Sequence, residues 1–198
     1  MAAKNVLVPP HSADGHGLTF PILGRRFHHS KAKDIIPILQ NDVEFTWRKQ
    51  SGLCDFFVQY IPRSREYRVW SYRRRPIAVY EKIMRYPERY RVGRDAGIGW
   101  NWDHGFAFEF YHNAPEELKQ LGAAAVEAMG LDFGAVDVIH STTGQMFVLE
   151  VNTAPGVQDL RQGIVTLADK IAKWVELGYP RRRGDNDEGA GVQPARAN

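Results

Sequence analysis

Cysteine is nearly absent. Cys54 is the only one in 198 residues, which excludes an internal disulfide and any zinc site built from several thiolates. A lone cysteine in an apolar context reads as core, and a reducing, cytoplasmic compartment is the simplest expectation. Long apolar runs are missing too. Nothing approaches the roughly 18 consecutive apolar residues needed to cross a bilayer. The opening MAAKNVLVPPHS has a short apolar stretch cut by two prolines and lacks the apolar centre of a secretory signal. No internal repeat is visible, and no Ser–His–Asp set stands out. His11, His16, His28, His29, His104 and His140 are scattered without metal-ligand spacing. Net charge is only +3, so the basic residues matter by where they cluster, in Arg73–Arg74–Arg75 and Arg181–Arg182–Arg183.

Hydrophobic residues at 43% and charged residues at 25% are ordinary for a soluble globular chain able to bury a core. Residues 5–8 read as a short strand entering a turn-rich loop, PPHSADGHG. KAKDIIPILQ reads as weakly helical, broken at Pro37. The run Phe56–Ile61 suits a covered strand. A hairpin follows, EYRVWSY and PIAVYEKI, closed by a basic turn, with Pro76 placed where its missing N–H is tolerated. The stretch from Arg85 to Phe110 reads as irregular with short strands. A helix comes next, with Asn113 as N-cap, Pro115 in its first turn, Glu116 and Glu117 at its positive end, and Gly130 as its stop. Its expected apolar stripe is Leu118, Leu121, Ala125, Val126 and Met129. A last helix is expected from about Leu160 to Leu177, followed by a tail, 180–198, whose composition reads as disordered.

The stretch LDFGAVDVIHSTTGQMFVLEVNTAPG is the most informative. Symmetric pairing about the Thr142–Thr143 bond would set His140 opposite Gln145, Val138 opposite Phe147 and Asp137 opposite Val148. Side chains alternate between faces, so Asp137 would share a face with Val148, Glu150 and Asn152. Asp137 and Glu150 would then be diagonal neighbours, roughly 7–8 Å apart. Val136, Val138, Phe147, Leu149 and Val151 would form the core face. Two carboxylates and an amide oxygen make a hard, all-oxygen donor set of the kind magnesium prefers.

This string resembles the magnesium-binding end of the ATP-grasp superfamily, in which an Asp on one strand is followed by Glu-x-Asn-Thr-x-Pro-Gly on the next. Here these are Asp137 and Glu150-Val151-Asn152-Thr153-Ala154-Pro155-Gly156. The resemblance implies an α+β ATP-grasp fold of antiparallel sheets and packed helices, without the usual N-terminal domain that precedes it. The fold would occupy 1–179, with a small incomplete subdomain over about 1–60 and a second over about 61–179. It further implies ATP and Mg²⁺ as cofactors, with Asp137, Glu150 and Asn152 holding the metal. FFVQYIPRSREYRVWSY is similar to the family's adenine-facing hinge strand and its Glu-x-Arg strand. By that likeness Gln59, Tyr60 and Ile61 lie beside adenine, Glu66 serves ribose or substrate, and Arg68 and Lys82 act on the phosphates. The glycines of PHSADGHGLTF, Gly15 and Gly17, resemble the loop that covers the phosphates, where freed N–H groups form an anion nest. The overall spacing also resembles small ATP-grasp proteins of bacteriophages.

The function so implied is carboxylate–amine ligation through an acyl phosphate, with unidentified carboxylate and amine substrates. Val8 stands where the family carries a lysine. Either Lys4 or Lys49 substitutes, or adenine binding is weak, or the chain needs a partner, so a partner chain or homo-oligomer enters as an expectation. A catalytically degenerate ATP- and magnesium-binding module is the second reading, and a kinase stopping at phosphoryl transfer is another. Single-stranded nucleic-acid binding through Arg73–Arg75, Arg89, Arg91, Arg94, Tyr86, Tyr90 and Trp100 ranks a distant third, because it gives the acidic hairpin no role.

Overall fold

The computed structural model describes residues 6–27, 35–40, 45–46, 51–87, 100, 104–155, 168–169 and 172–173. Two antiparallel sheets carry the described chain. The smaller contains β1 (His11–Ser12), β2 (Ile22–Arg25), β3 (Ile36–Ile38) and β4 (Phe56–Gln59), in the order β1-β4-β2-β3. The larger contains β5 (Arg63–Tyr72), β6 (Arg75–Met84), β7 (Phe106–Phe110), β8 (Phe133–Ser141) and β9 (Met146–Asn152), in the order β7-β6-β5-β8-β9. The helix α1 (Glu116–Ala128) connects β7 to β8.

Helix α1 packs on one face of the large sheet. Leu118, Ala125 and Val126 meet Tyr67, Val69, Val79, Val136, Val138 and Val148 in a continuous apolar cluster. Gly122 lets the helix come close, since a Cβ there would lie 2.4 Å from Val69 Cγ1. Gly130, at φ +70°, ends the helix, with its N–H donating to the Glu127 carbonyl and that of Leu131 to Val126. Two expectations for this helix fail at its ends. Pro115, and not Asn113, stands at the N-cap, and it offers no capping side chain. Met129 has passed the last turn and is 65% exposed.

The opposite face carries Trp70, Ala78, Tyr80 and Ala135, rimmed by Tyr72, Phe108, Phe110 and Phe133. The β5–β6 turn uses two arginines, Arg73 and Arg74, at φ 42° and 66°, the backbone that a two-residue hairpin requires. These side chains dock beside the end of α1. Arg74 pairs with Glu127, and Arg73 Nε lies 3.6 Å from Asp132 Oδ1. The basic turn therefore has structural partners of its own.

Other expectations need correction. Residues 36–38 form a strand and not part of a helix, and Pro37 is tolerated because β3 is an edge of its sheet. The chain before β1 joins no strand ladder over residues 6–8, although Leu7 accepts the Val148 N–H at 2.9 Å along the outer edge of β9. Strand β4 stops at Gln59, so Tyr60 and Ile61 belong to the link into β5. The expected final helix is described only at residues 168–169 and 172–173, both helical. The tail 180–198, Lys4, Lys49, Arg89, Tyr90, Arg91, Arg94 and Gly156 lie outside the described residues.

Candidate functional site

The β8–β9 pairing differs from the symmetric hairpin. His140 pairs with Met146, Ile139 with Phe147 and Val138 with Val148; then Leu149 is skipped, and Asp137 pairs with Glu150 and Ala135 with Asn152. This bulge changes the phase of β9. Val148 joins the helix-facing core, reversing the expected places of Phe147 and Val148, and Glu150 comes directly opposite Asp137. A bulge next to an acidic pair is a common way of re-aiming a side chain at a site.

Two opposed carboxylates repel, and the structure places a cation against one of them. Arg68 is the register partner of Asp137 on β5. Its Nε donates to Oδ1 at 2.6 Å and its Nη2 to Oδ2 at 2.8 Å, the planar fork that guanidinium and carboxylate share. Both are nearly enclosed, with side-chain exposures of 14% and 9%. Burial pulls the Arg68 pKa down, but the hydrogen bonds and charge of Asp137, supported by Glu150 and Glu66, outweigh it and hold the guanidinium above its ordinary value. Asn152 Nδ2 donates to Glu150 Oε1 at 2.7 Å. From the small sheet, Arg25 senses Glu150: burial lowers its pKa and the Glu150 charge opposes that.

A second bulge, at Ser64 between Arg63 and Arg65, turns Arg63 onto the same face. Its Nη1 lies 3.0 Å from Glu66 Oε2. The contact is an ion pair off the hydrogen-bond axis, so Oε2 keeps acceptor capacity. Lys82 donates to the other oxygen of Glu66. Phe108 on β7 lies beneath both cations, its ring centre 4.4 Å from Arg68 Cζ and 5.1 Å from Lys82 Nζ. Arg63 also stacks over Trp100 at 4.8 Å.

Asp137, Glu150 and Asn152 thus come together, as do Arg68, Lys82 and Glu66. Arg63, Phe108 and Arg25 were missed from the sequence. The alternation Phe-Ala-Phe-Glu-Phe is the signal that could have put Phe108 on a face with Phe106 and Phe110, but nothing in the sequence marks the bulge that recruits Arg63. Among the described residues no three His, Cys, Asp or Glu side chains form a cluster. The donor set is two carboxylates and one amide, which suits magnesium, since that ion takes few protein ligands. Asp137 can serve Arg68 and a cation together, because each carboxylate oxygen has two lone pairs.

The hinge residues are more constrained than expected. The Gln59 N–H donates to Pro10 and that of Tyr60 to Pro21, at 2.8 and 3.0 Å. The Gln59 side-chain oxygen accepts from Thr19 N–H at 3.2 Å. A base docked here would use the remaining edge, including Ile61. In the loop between β1 and β2, Gly15 is at φ +80° and Gly17 at +75°. A Cβ on Gly15 would lie 2.6 Å from Phe45 Cζ, so packing alone accounts for that glycine. Asp14 Oδ1 accepts the His16 N–H at 3.1 Å and the Ser12 hydroxyl at 2.8 Å.

Two sheets of this topology, with an opposed carboxylate pair and arginine on one face of the larger, form an ATP-grasp fold. Residues 88–175 match the family model of the RimK-like ATP-grasp domain. The chain is 34% identical over 97 residues to a probable alpha-L-glutamate ligase 2 of Shewanella amazonensis, covering 48% of this chain and 32% of the relative. It therefore spans about a third of the length of such relatives. Among solved structures, D-cycloserine synthetase DcsG superposes with a TM-score of 0.61 at 17% identity, over 85% of this chain and 65% of that one. The ATP-grasp ligase PsnB, complexed with minimal precursor, Mg and ADP, superposes with a TM-score of 0.54 at 12% identity, over 78% of this chain and 47% of that one.

Proposed function

We propose that this chain binds ATP with magnesium and takes part in joining a carboxylate to an amine. Asp137, Glu150 and the Asn152 side-chain oxygen would hold the metal, which supplies charge neutralisation at the triphosphate. Arg68 and Lys82 offer donors to the transferring group. A substrate carboxylate oxygen would attack the γ-phosphorus as its bond to the ADP oxygen breaks, giving an acyl phosphate. An amine nitrogen would then attack the acyl carbon, inorganic phosphate would leave, and the amine would lose a proton. The bulge that sets Glu150 opposite Asp137, beside a nearly enclosed arginine, carries this reading. The name of the alpha-L-glutamate ligase relative supports an amino acid as one of the substrates.

A degenerate nucleotide-binding module is the second reading. Two observations favour it: Val8, 43% exposed, where a lysine is expected, and Asp14 holding a loop N–H that a phosphate would need. The Gly15–Gly17 nest, the Gln59–Ile61 adenine contact and a partner chain or second copy remain parts of the proposal.

Calorimetric titration of Mg-ATP into wild type and the Asp137→Ala/Glu150→Ala double variant tests it. Binding in wild type that the variant loses supports the site, and turnover to ADP with a carboxylate and an amine separates ligase from degenerate module. Equal behaviour of both proteins at millimolar ATP would sink it.

A further inference from the structure

Glu66 is 4% exposed, too deep for an unpaired carboxylate. Lys82 covers one of its oxygens and Arg63 Nη1 approaches the other at 3.0 Å. Both cations are themselves enclosed, with side-chain exposures of 8% for Arg63 and 11% for Lys82. A sugar hydroxyl would have to share Glu66 Oε2 with the Arg63 guanidinium, so a ribose ligand makes poor use of this group. Its geometry does a different task. A lysine ammonium is a point charge on a flexible four-carbon stem, and it needs fixed neighbours to keep one position. Lys82 has two, the Glu66 carboxylate and the face of Phe108 at 5.1 Å. Since an ammonium has three donors, Lys82 can serve Glu66 and an anion together.

We propose that Glu66 is a positioning residue that aims Lys82 at the terminal phosphate of ATP, with Arg63 bracing Glu66 from its other side. The Ser64 bulge is then functional, since it turns Arg63 toward Glu66. Phe108 ties the device to Arg68, whose guanidinium lies on the same ring. The proposal presupposes the ATP-dependent reading above, and its test separates the two.

The test measures affinities for Mg-ATP, Mg-ADP and Mg-2′-deoxy-ATP by calorimetry, with thermal melts, in wild type, Glu66→Gln, Glu66→Asp, Arg63→Gln and Lys82→Ala. Glu66→Gln is expected to lose about tenfold in ATP affinity, the scale of one charge-assisted hydrogen bond. ADP affinity stays within about twofold, because ADP lacks the terminal phosphate. Glu66→Asp recovers part of the ATP preference, and Lys82→Ala shows the same ATP-over-ADP loss as Glu66→Gln. Arg63→Gln shows the same ATP-over-ADP loss in smaller measure, and it carries the test if Glu66→Gln does not fold. Equal loss for ATP and ADP, or a lower melting temperature with the ATP/ADP ratio unchanged, overturns the positioning role alone. A wild-type discrimination against 2′-deoxy-ATP that vanishes in Glu66→Gln would return Glu66 to the ribose. Wild type that binds no Mg-ATP overturns both this role and the ATP-dependent reading.

Discussion

Replacing Arg68 with methionine isolates what the carboxylate pair demands. Methionine keeps much of the aliphatic stem and removes the fork, its charge and the guanidinium contact with the Phe108 ring. Asp137, 6% exposed, is then left directly opposite Glu150 without the guanidinium that closes both its oxygens. Breaking a buried pair from one side costs about 3–5 kcal/mol. At roughly 2–4 °C per kcal/mol for a chain of this length, the melting temperature should fall on the order of 10 °C in EDTA at neutral pH. Adding Asp137→Asn to Arg68→Met should recover much of that loss, since an amide needs no counter-charge, and the coupling should be on the order of 2 kcal/mol. Magnesium should also recover it. A divalent ion between Asp137 and Glu150 replaces the missing charge and stabilises by RT ln(1 + [L]/Kd), so Arg68→Met should gain more from millimolar Mg²⁺ than wild type does. Melts of wild type, both single variants and the double, each in EDTA and in Mg²⁺, complete the cycle. Arg68→Met within about 1 kcal/mol of wild type in EDTA would refute the claim that the pair requires a cation. Absence of magnesium rescue would refute the assignment of these oxygens to a divalent ion.

Three further outcomes are expected from chemical or thermal unfolding. Gly122→Ala should destabilise by about 1 kcal/mol net: its Cβ would meet Val69 Cγ1 at 2.4 Å, and overpacking of about 1–3 kcal/mol exceeds the helix-propensity gain of about 1. Tyr80→Phe should stabilise by about 1 kcal/mol, because the Tyr80 hydroxyl is buried without a hydrogen-bond partner among the described residues. Burial also holds that phenol above its ordinary pKa of 10.0, which favours the neutral form in the folded state. Its contribution is therefore intact below about pH 10 and lost as pH rises through the folded value, so Tyr80→Phe should flatten the alkaline fall in melting temperature. Arg73→Asn with Arg74→Gly relieves two left-handed arginines at about 1 kcal/mol or more each, against ion pairs to Asp132 and Glu127 worth up to about 1 kcal/mol each. A small gain is expected, and a clear loss would show that docking on α1 dominates the turn.

Much of the architecture was legible because local signals agreed with one another. For α1, two glutamates at the start and Gly130 at the end bracketed an apolar stripe, and only the terminal details failed. The β5–β6 hairpin was legible from alternation despite having arginine where Asn-Gly is usual. Strand β3 was not, because Ile-Ile-Pro-Ile is too short to separate a covered strand from a helix turn, and proline argues against a strand only when the strand is central. The hinge was read two residues too long for the same reason: an apolar run does not announce where its ladder stops.

The candidate site divides along a sharper line. Residue types were readable, since an Asp followed by Glu-Val-Asn-Thr-Ala-Pro is an unusual string, but faces were not. Alternation assigns a face only while the ladder has no extra residue, and each bulge reverses the assignment beyond it. In β9 the unpaired Leu149 lets Val148 and Val151, three residues apart, both pack toward α1 while Glu150 stays beside Asp137. Without it, one requirement would fail: either Val148 would leave the core or Glu150 would leave the carboxylate pair. In β5 the unpaired Ser64 likewise brings Arg63 to Glu66, three residues away. Both bulges border the charged face, where packing alone would favour regular strands. The irregularities that defeated the register argument are therefore the features that assemble the site.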